Sequence, residues 1–203
     1  IGGRPLVVIS CDTATNPRQA RERAEWLVSG ARVPVIIGPA ASSSTIEVFN
    51  QVARNSGTLI MSPSATAPAI SDIADDDLLW RTVPSDLIQA TALHGLVREG
   101  GFTKVALINR DDAYGNGLAS ALRMPYCAES LCDESTFLSR RYRLDETASV
   151  IPEELSSILI SLAQFEPDVI VFMGFSADFL SFVRAMVEHP DLVMSDMPLL
   201  VTD

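Results

Sequence analysis

This 203-residue chain is short of basic side chains: 15 Lys and Arg stand against 26 Asp and Glu, for a net charge of −11. The cations are scattered along the chain, which argues against a nucleic-acid footprint. No stretch reaches the roughly 18 consecutive apolar residues of a membrane-crossing helix, so this segment is expected not to insert in a membrane. Histidine is scarce, with only two residues. Neither His94 nor His189 has a nucleophile or a metal partner in its sequence surroundings. The G-x-S-x-G, H-E-x-x-H, G-x-G-x-x-G and phosphate-loop patterns are all missing. Catalytic residues, metal ligands and cofactors are therefore expected to be none. An enzyme of α/β fold acting on a small acid would need chemistry from outside this segment.

Cysteine is also sparse, at three residues. Cys11 follows an apolar run and is expected to be a buried free thiol. Cys127 and Cys132 lie in one polar loop. A local disulfide is expected there in an oxidising compartment; two thiols without nearby histidine make an incomplete metal set.

What the chain does have is alternation. At 47% hydrophobic it can bury a substantial core. Runs at residues 6–10, 33–37, 58–61, 78–83, 105–109, 169–173 and 199–202 read as strands, and 137–142 is weakly strand-like. Segments at helical spacing lie between most of them: Asn16-Pro17 opens one as N-cap and first residue, 43–55 and 86–99 are others, and 114–122, 151–165 and 177–189 complete the set. Strand–helix alternation with short links implies parallel sheets and right-handed crossovers. The turn at residues 81–86 divides the strands into two groups. Two α/β lobes, at 1–83 and 84–203, fit better than one eight-stranded sheet. The opening Ile1-Gly2-Gly3-Arg4-Pro5 does not read as a natural start and the last residues form a strand. Pieces of the fold are expected beyond both ends.

Ligands of such folds bind at the C-terminal ends of strands, and the unusual residues fall there. Gly38-Pro39-Ala40-Ala41 leads into Ser42, Ser43, Ser44 and Thr45. One hydroxyl suffices to cap a helix; four in a row exceed that need. The next strand ends in Ser62-Pro63-Ser64-Ala65-Thr66-Ala67-Pro68. Two such segments on neighbouring strands offer hydroxyls and amides to one point and suit a carboxylate. In the second lobe, Asp111-Asp112-Ala113-Tyr114-Gly115 and Gly174-Phe175-Ser176 follow strands, and Asp203 closes the last one. Gly115 and Gly117 weaken a helix start, as close backbone approach would require.

As an ordered set, these motifs, with Asp12-Thr13-Ala14-Thr15-Asn16-Pro17, Arg81-Thr82 and Pro167-Asp168-Val169-Ile170, resemble the type I periplasmic-binding fold. The resemblance is to its leucine/isoleucine/valine-binding branch of ABC-transporter receptors, and it covers essentially the whole chain. It implies two Rossmann-like lobes on a hinge, incomplete at both ends here, that close over an amino acid or similar small carboxylate. It implies a periplasmic or other extracytoplasmic location and an ABC permease as partner; the ligand-sensing domain of a larger membrane receptor is the alternative. Ser42 and Thr66, with the backbone at Ser64 and Ala65, match positions that bind the α-carboxylate and α-amino groups. Tyr114 matches the aromatic residue that closes from the second lobe. Phe175 matches a position often held by Tyr, and so lacks a hydroxyl. Asp203 matches an acidic position that pairs with the α-ammonium. Ala14 and Ala41 stand where some relatives carry a cysteine bridge.

Overall fold

The computed structural model describes residues 3, 5–128, 132–145, 149–189 and 197–202. The chain forms two compact units: one from residues 1–66 and 72–84, the other from 67–71 and 85–203. The short segment Ala67–Ser71 thus groups with the second unit, although it lies within the 1–83 stretch read as the first lobe.

In the first unit, helix α1 (Pro17–Ser29) begins where Asn16 accepts a hydrogen bond from the Gln19 amide, and Pro17 takes the first helical position. Its apolar stripe Ala20, Ala24 and Leu27 is buried. Strand β1 (Val35–Ile37) leads to α2 (Ser42–Val48), which widens into a π-helical stretch at Phe49–Ala53 before a last turn, α3 (Arg54–Ser56). The π stretch turns Phe49, Val52 and Ala53 all inward. Gly57 closes the run at φ 67°, a left-handed position that glycine occupies without cost. Strands β2 (Leu59–Ser62) and β3 (Leu79–Arg81) complete a parallel sheet of order β1-β2-β3, with Val35 opposite Leu59 and Ile60 opposite Leu79.

The expected strand at 6–10 is not formed. Those residues are irregular, and Leu6, Val7 and Val8 are 78%, 75% and 82% exposed. β1 is the sheet's edge and pairs with β2 alone among the described strands. Without a ladder partner, an apolar run has no reason to extend. Cys11, expected to be buried, is a partly exposed free thiol for the same reason.

The second unit is a four-stranded parallel sheet of order β5-β4-β6-β7. Its strands are β4 (Val105–Arg110), β5 (Phe137–Tyr142), β6 (Val169–Met173) and β7 (Leu199–Thr202). The central strands β4 and β6 are covered on both faces, and every residue of β6 is buried. That is why both read as continuous apolar runs. One layer of core packs α4 (Asp86–Glu99) and α5 (Ala113–Ala128) on the sheet through Leu93, Val97, Leu118 and Leu122. The other packs α6 (Pro152–Phe165) and α7 (Ser176–Glu188) through Ile158, Leu162, Phe182 and Met186. Helix α5 runs six residues beyond the expected end at 122 and carries Pro125 inside it. Tyr126 explains the extension: it is buried, 5.4 Å from the Phe137 ring and edge-on to His94 at 4.9 Å. Cys127 and Cys132 are joined by a disulfide just past this point.

Candidate functional site

At the C-terminal edge of the first unit's sheet, the two hydroxyl-rich loops are stitched together. Gly38 has φ 121° and precedes a cis peptide to Pro39; its amide donates to the Met61 carbonyl at 2.9 Å. The Pro39 carbonyl then accepts from two hydroxyls, Ser62 at 2.6 Å and Thr45 at 3.0 Å. Ser62 Oγ accepts in turn from the Ala65 amide at 3.1 Å. Ser64 donates to the Ala40 carbonyl at 3.0 Å. From the next strand, Arg81 donates to the Thr66 carbonyl at 3.0 Å and the Thr82 hydroxyl to the Pro63 carbonyl at 3.3 Å.

The hydroxyls therefore divide their labour. Thr45 and Ser62, both fully buried, hold the loops in register. Ser42 is the first residue of α2 and is 2% exposed. Ser44 is also buried, and its Oγ has no hydrogen-bond partner among the described residues. Ser64 is exposed and Thr66 half-buried. Among the described residues no hydrogen bond engages the Thr66 hydroxyl, although its carbonyl is bound by Arg81. Ala65 enters with its amide already engaged by Ser62, so what it can offer a ligand is its carbonyl and a small side chain.

In the second unit, the predicted aromatic residues come together. Phe175 precedes α7 and its ring stacks on Tyr114, with centroids 5.6 Å apart and planes 8° from parallel. Tyr114, in the first turn of α5, is 3% exposed. Its hydroxyl pairs with that of Thr202 at 2.9 Å, at the end of β7. Asp203, the next residue, lies outside the described residues. Glycine makes this crowding possible. A Cβ on Gly115 would collide with the Arg110 carbonyl, and one on Gly117 would lie 2.8 Å from Pro68 Cδ, within the same unit.

Sequence reasoning missed the polar frame beneath these rings. Arg110, the last residue of β4, pairs through Nε with Asp112 at 2.7 Å and through Nη1 with Asp178 at 3.3 Å. Its guanidinium lies 4.6 Å from the Phe175 ring centre. The same Asp178 oxygen accepts from the Phe175 amide and from the Tyr142 hydroxyl, each at 3.1 Å. Burial, and then the Asp178 charge, push the Tyr142 phenol far above its ordinary range, so it stays a neutral donor. The signal available in the sequence was an arginine between a buried strand and two aspartates.

Among the described residues, no cluster of three or more His, Cys, Asp or Glu side chains could hold a metal ion. No described helix is long and apolar enough to cross a membrane.

Comparison with known proteins bears on the family and the fold. The Leu/Ile/Val-binding protein BraC3 of Rhizobium johnstonii is 26% identical over 174 residues, covering 85% of this chain and 44% of the relative. The chemotactic signal transduction system substrate-binding protein BasB of Halobacterium salinarum is 32% identical over 128 residues, covering 60% of this chain and 31% of the relative. An ABC transporter substrate-binding protein from Desulfitobacterium hafniense superposes with TM-score 0.65 over 98% of this chain and 55% of its own, at 22% identity; it shares the fold. The chain thus spans between 31% and 44% of the length of these two curated relatives. The model of the receptor family ligand binding region matches residues 1–190, and the chain belongs to that family, with the type I periplasmic-binding fold.

Proposed function

We propose that this chain is part of a non-enzymatic extracytoplasmic receptor for an amino acid, branched-chain or related, or for a similar small carboxylate. The receptor closes two lobes over its ligand and delivers it to an ABC permease. The observation that carries this reading is the pair of loops after β1 and β2. Their frame is fixed by Ser62, Thr45 and Pro39, while the Thr66 hydroxyl and the Ala65 carbonyl beside it are engaged by no described hydrogen-bond donor or acceptor. A hydroxyl and a backbone carbonyl are the complementary partners for a carboxylate and an ammonium, and a desolvated zwitterion needs both.

Ser42 and Ser64 are assigned to the carboxylate end. Tyr114 and Phe175 are assigned to the apolar side of the ligand and Asp203 to its ammonium. The Cys127–Cys132 disulfide suits an oxidising, extracytoplasmic setting. A sensing role is the second reading, favoured by the likeness to BasB, which is named for chemotactic signal transduction; the same ligand chemistry would then drive a signal rather than transport.

A thermal-shift screen of the full-length protein against the common amino acids and simple carboxylic acids tests the proposal. At a hundredfold excess over Kd, binding stabilises by about 2.7 kcal/mol. A clear upward shift with one group of amino acids is expected. No shift with any amino acid or carboxylate refutes the receptor reading.

A further inference from the structure

The stacked pair Tyr114–Phe175 rides on two different helix starts, and one side chain joins them. Asp112 accepts from the Gly115 amide at 2.9 Å and so caps α5, which carries Tyr114. Asp178, in the first turn of α7, accepts from the Phe175 amide. Arg110 bridges both carboxylates and lays its guanidinium against the Phe175 ring. Its side chain is only 13% exposed, so these contacts are little screened by water.

We infer that Arg110 is the positioning residue for this aromatic pair, setting the spacing and tilt with which Tyr114 and Phe175 meet a bound ligand. The part concerning ligand rests on the proposed function; the geometry of the pair does not. A simple ion pair would need one carboxylate. Here a planar fork reaches two caps and a ring face together, which an ammonium cannot do. Without the cation, Asp112 and Asp178 would lose the charge between them. The two helix starts would lose their common link, and Phe175 one of its two stacking partners.

The test uses full-length protein labelled with 3-fluorotyrosine. Three tyrosines lie in this chain, and Tyr→Phe variants identify their fluorine signals among any others of the full-length protein. Arg110→Met keeps the apolar stem and removes the charge and fork; Arg110→Lys keeps the charge alone. The Tyr114 signal should shift or broaden in Arg110→Met and to a lesser degree in Arg110→Lys. The Tyr126 signal, against Phe137 and His94, should stay in place and so report an intact fold. L-leucine affinity, by calorimetry, should fall roughly three- to tenfold in Arg110→Met, the measured worth of an aromatic contact. In a Phe175→Ala background, where only the link to Tyr114 through Asp112 remains, Arg110→Met should cost clearly less. A Tyr114 signal unmoved in both variants overturns the inference, as does an equal affinity loss with and without Phe175. Failure of the unsubstituted protein to bind leucine or any other common amino acid would count against the amino-acid reading, and the fluorine signals would still decide the role of Arg110.

Discussion

Replacing Ser62 by alanine should loosen the first unit far more than replacing Ser44, although both are buried serines, one at the end of β2 and the other in the first turn of α2. The Ser62 hydroxyl donates to the Pro39 carbonyl at 2.6 Å and accepts from the Ala65 amide at 3.1 Å. In Ser62→Ala the Pro39 carbonyl keeps its bond from Thr45, so that loss is about 1 kcal/mol. The Ala65 amide has no such substitute. Ala65 is 0% exposed, and an orphaned buried donor costs about 1–3 kcal/mol. The sum is roughly 2–4 kcal/mol. Ser44 Oγ has no partner among the described residues to lose, and alanine is the better helix former by about 0.5 kcal/mol, so Ser44→Ala should be neutral or slightly stabilising. Tryptophan fluorescence isolates this effect, because both tryptophans, Trp26 and Trp80, belong to the first unit. In urea, with a slope of about 2 kcal/mol per molar, the Ser62→Ala midpoint should fall by about 1–2 M. Midpoints for the two variants that coincide would refute the division of labour between the hydroxyls.

Asp168 accepts from the Thr103 hydroxyl and from the Thr103 and Lys104 amides at 2.7–2.9 Å, tying the starts of β4 and β6 together. The Thr103 hydroxyl, then the two amides, hold its carboxyl below the usual carboxylate range. The stabilisation is therefore full above about pH 4, the ordinary aspartate value, and is lost as pH falls through the lower folded value. Asp168→Asn should cost about 1 kcal/mol at neutral pH, discounted for exposure. That difference from the unsubstituted protein should shrink in chemical unfolding below about pH 4; a pH-independent difference would contradict it. A Cβ on Gly174 would collide with the Tyr142 hydroxyl, so Gly174→Ala should destabilise the second unit by about 1–3 kcal/mol. Adding Tyr142→Phe should recover part of that loss in thermal unfolding followed at the tyrosine band; strict additivity would show the contact to be irrelevant. Thr66→Ala should weaken L-leucine and 4-methylpentanoate by a similar factor in calorimetry, with little change in stability; an unchanged affinity for both would remove Thr66 from the carboxylate site.

The strands most legible in the sequence were those with both faces covered. Val105–Arg110 opens on four consecutive apolar residues and Val169–Met173 is apolar throughout, because helices pack on each side. The run at 6–10 has the same composition and forms no strand, since composition marks a willing strand but not the presence of a neighbour to pair with. The π-helical stretch at Phe49–Ala53 and the passage of α5 through Pro125 leave no local signal either; each follows from which side chains the surrounding core accepts. At the site, the hydroxyl-rich loops were visible by type and spacing. Which hydroxyls serve the fold and which do not was hidden, because it depends on the carbonyl each one faces after β1 and β2 pair. Arg110 and Asp178 lie 68 residues apart. They meet only because β4 and β6 are neighbours in the sheet, and no reading of either segment alone could join them.

Whether this protein receives an amino acid is decided by calorimetric titration with L-leucine and with 4-methylpentanoate, which lacks only the amino group, on the full-length protein and on Asp203→Ala. The unsubstituted protein should bind leucine saturably. The loss on substitution should be large for leucine and small for the acid, since only leucine carries the ammonium assigned to Asp203. Absence of binding by either compound, with no other amino acid taking their place, would contradict the claim that this fold serves here as an amino-acid receptor.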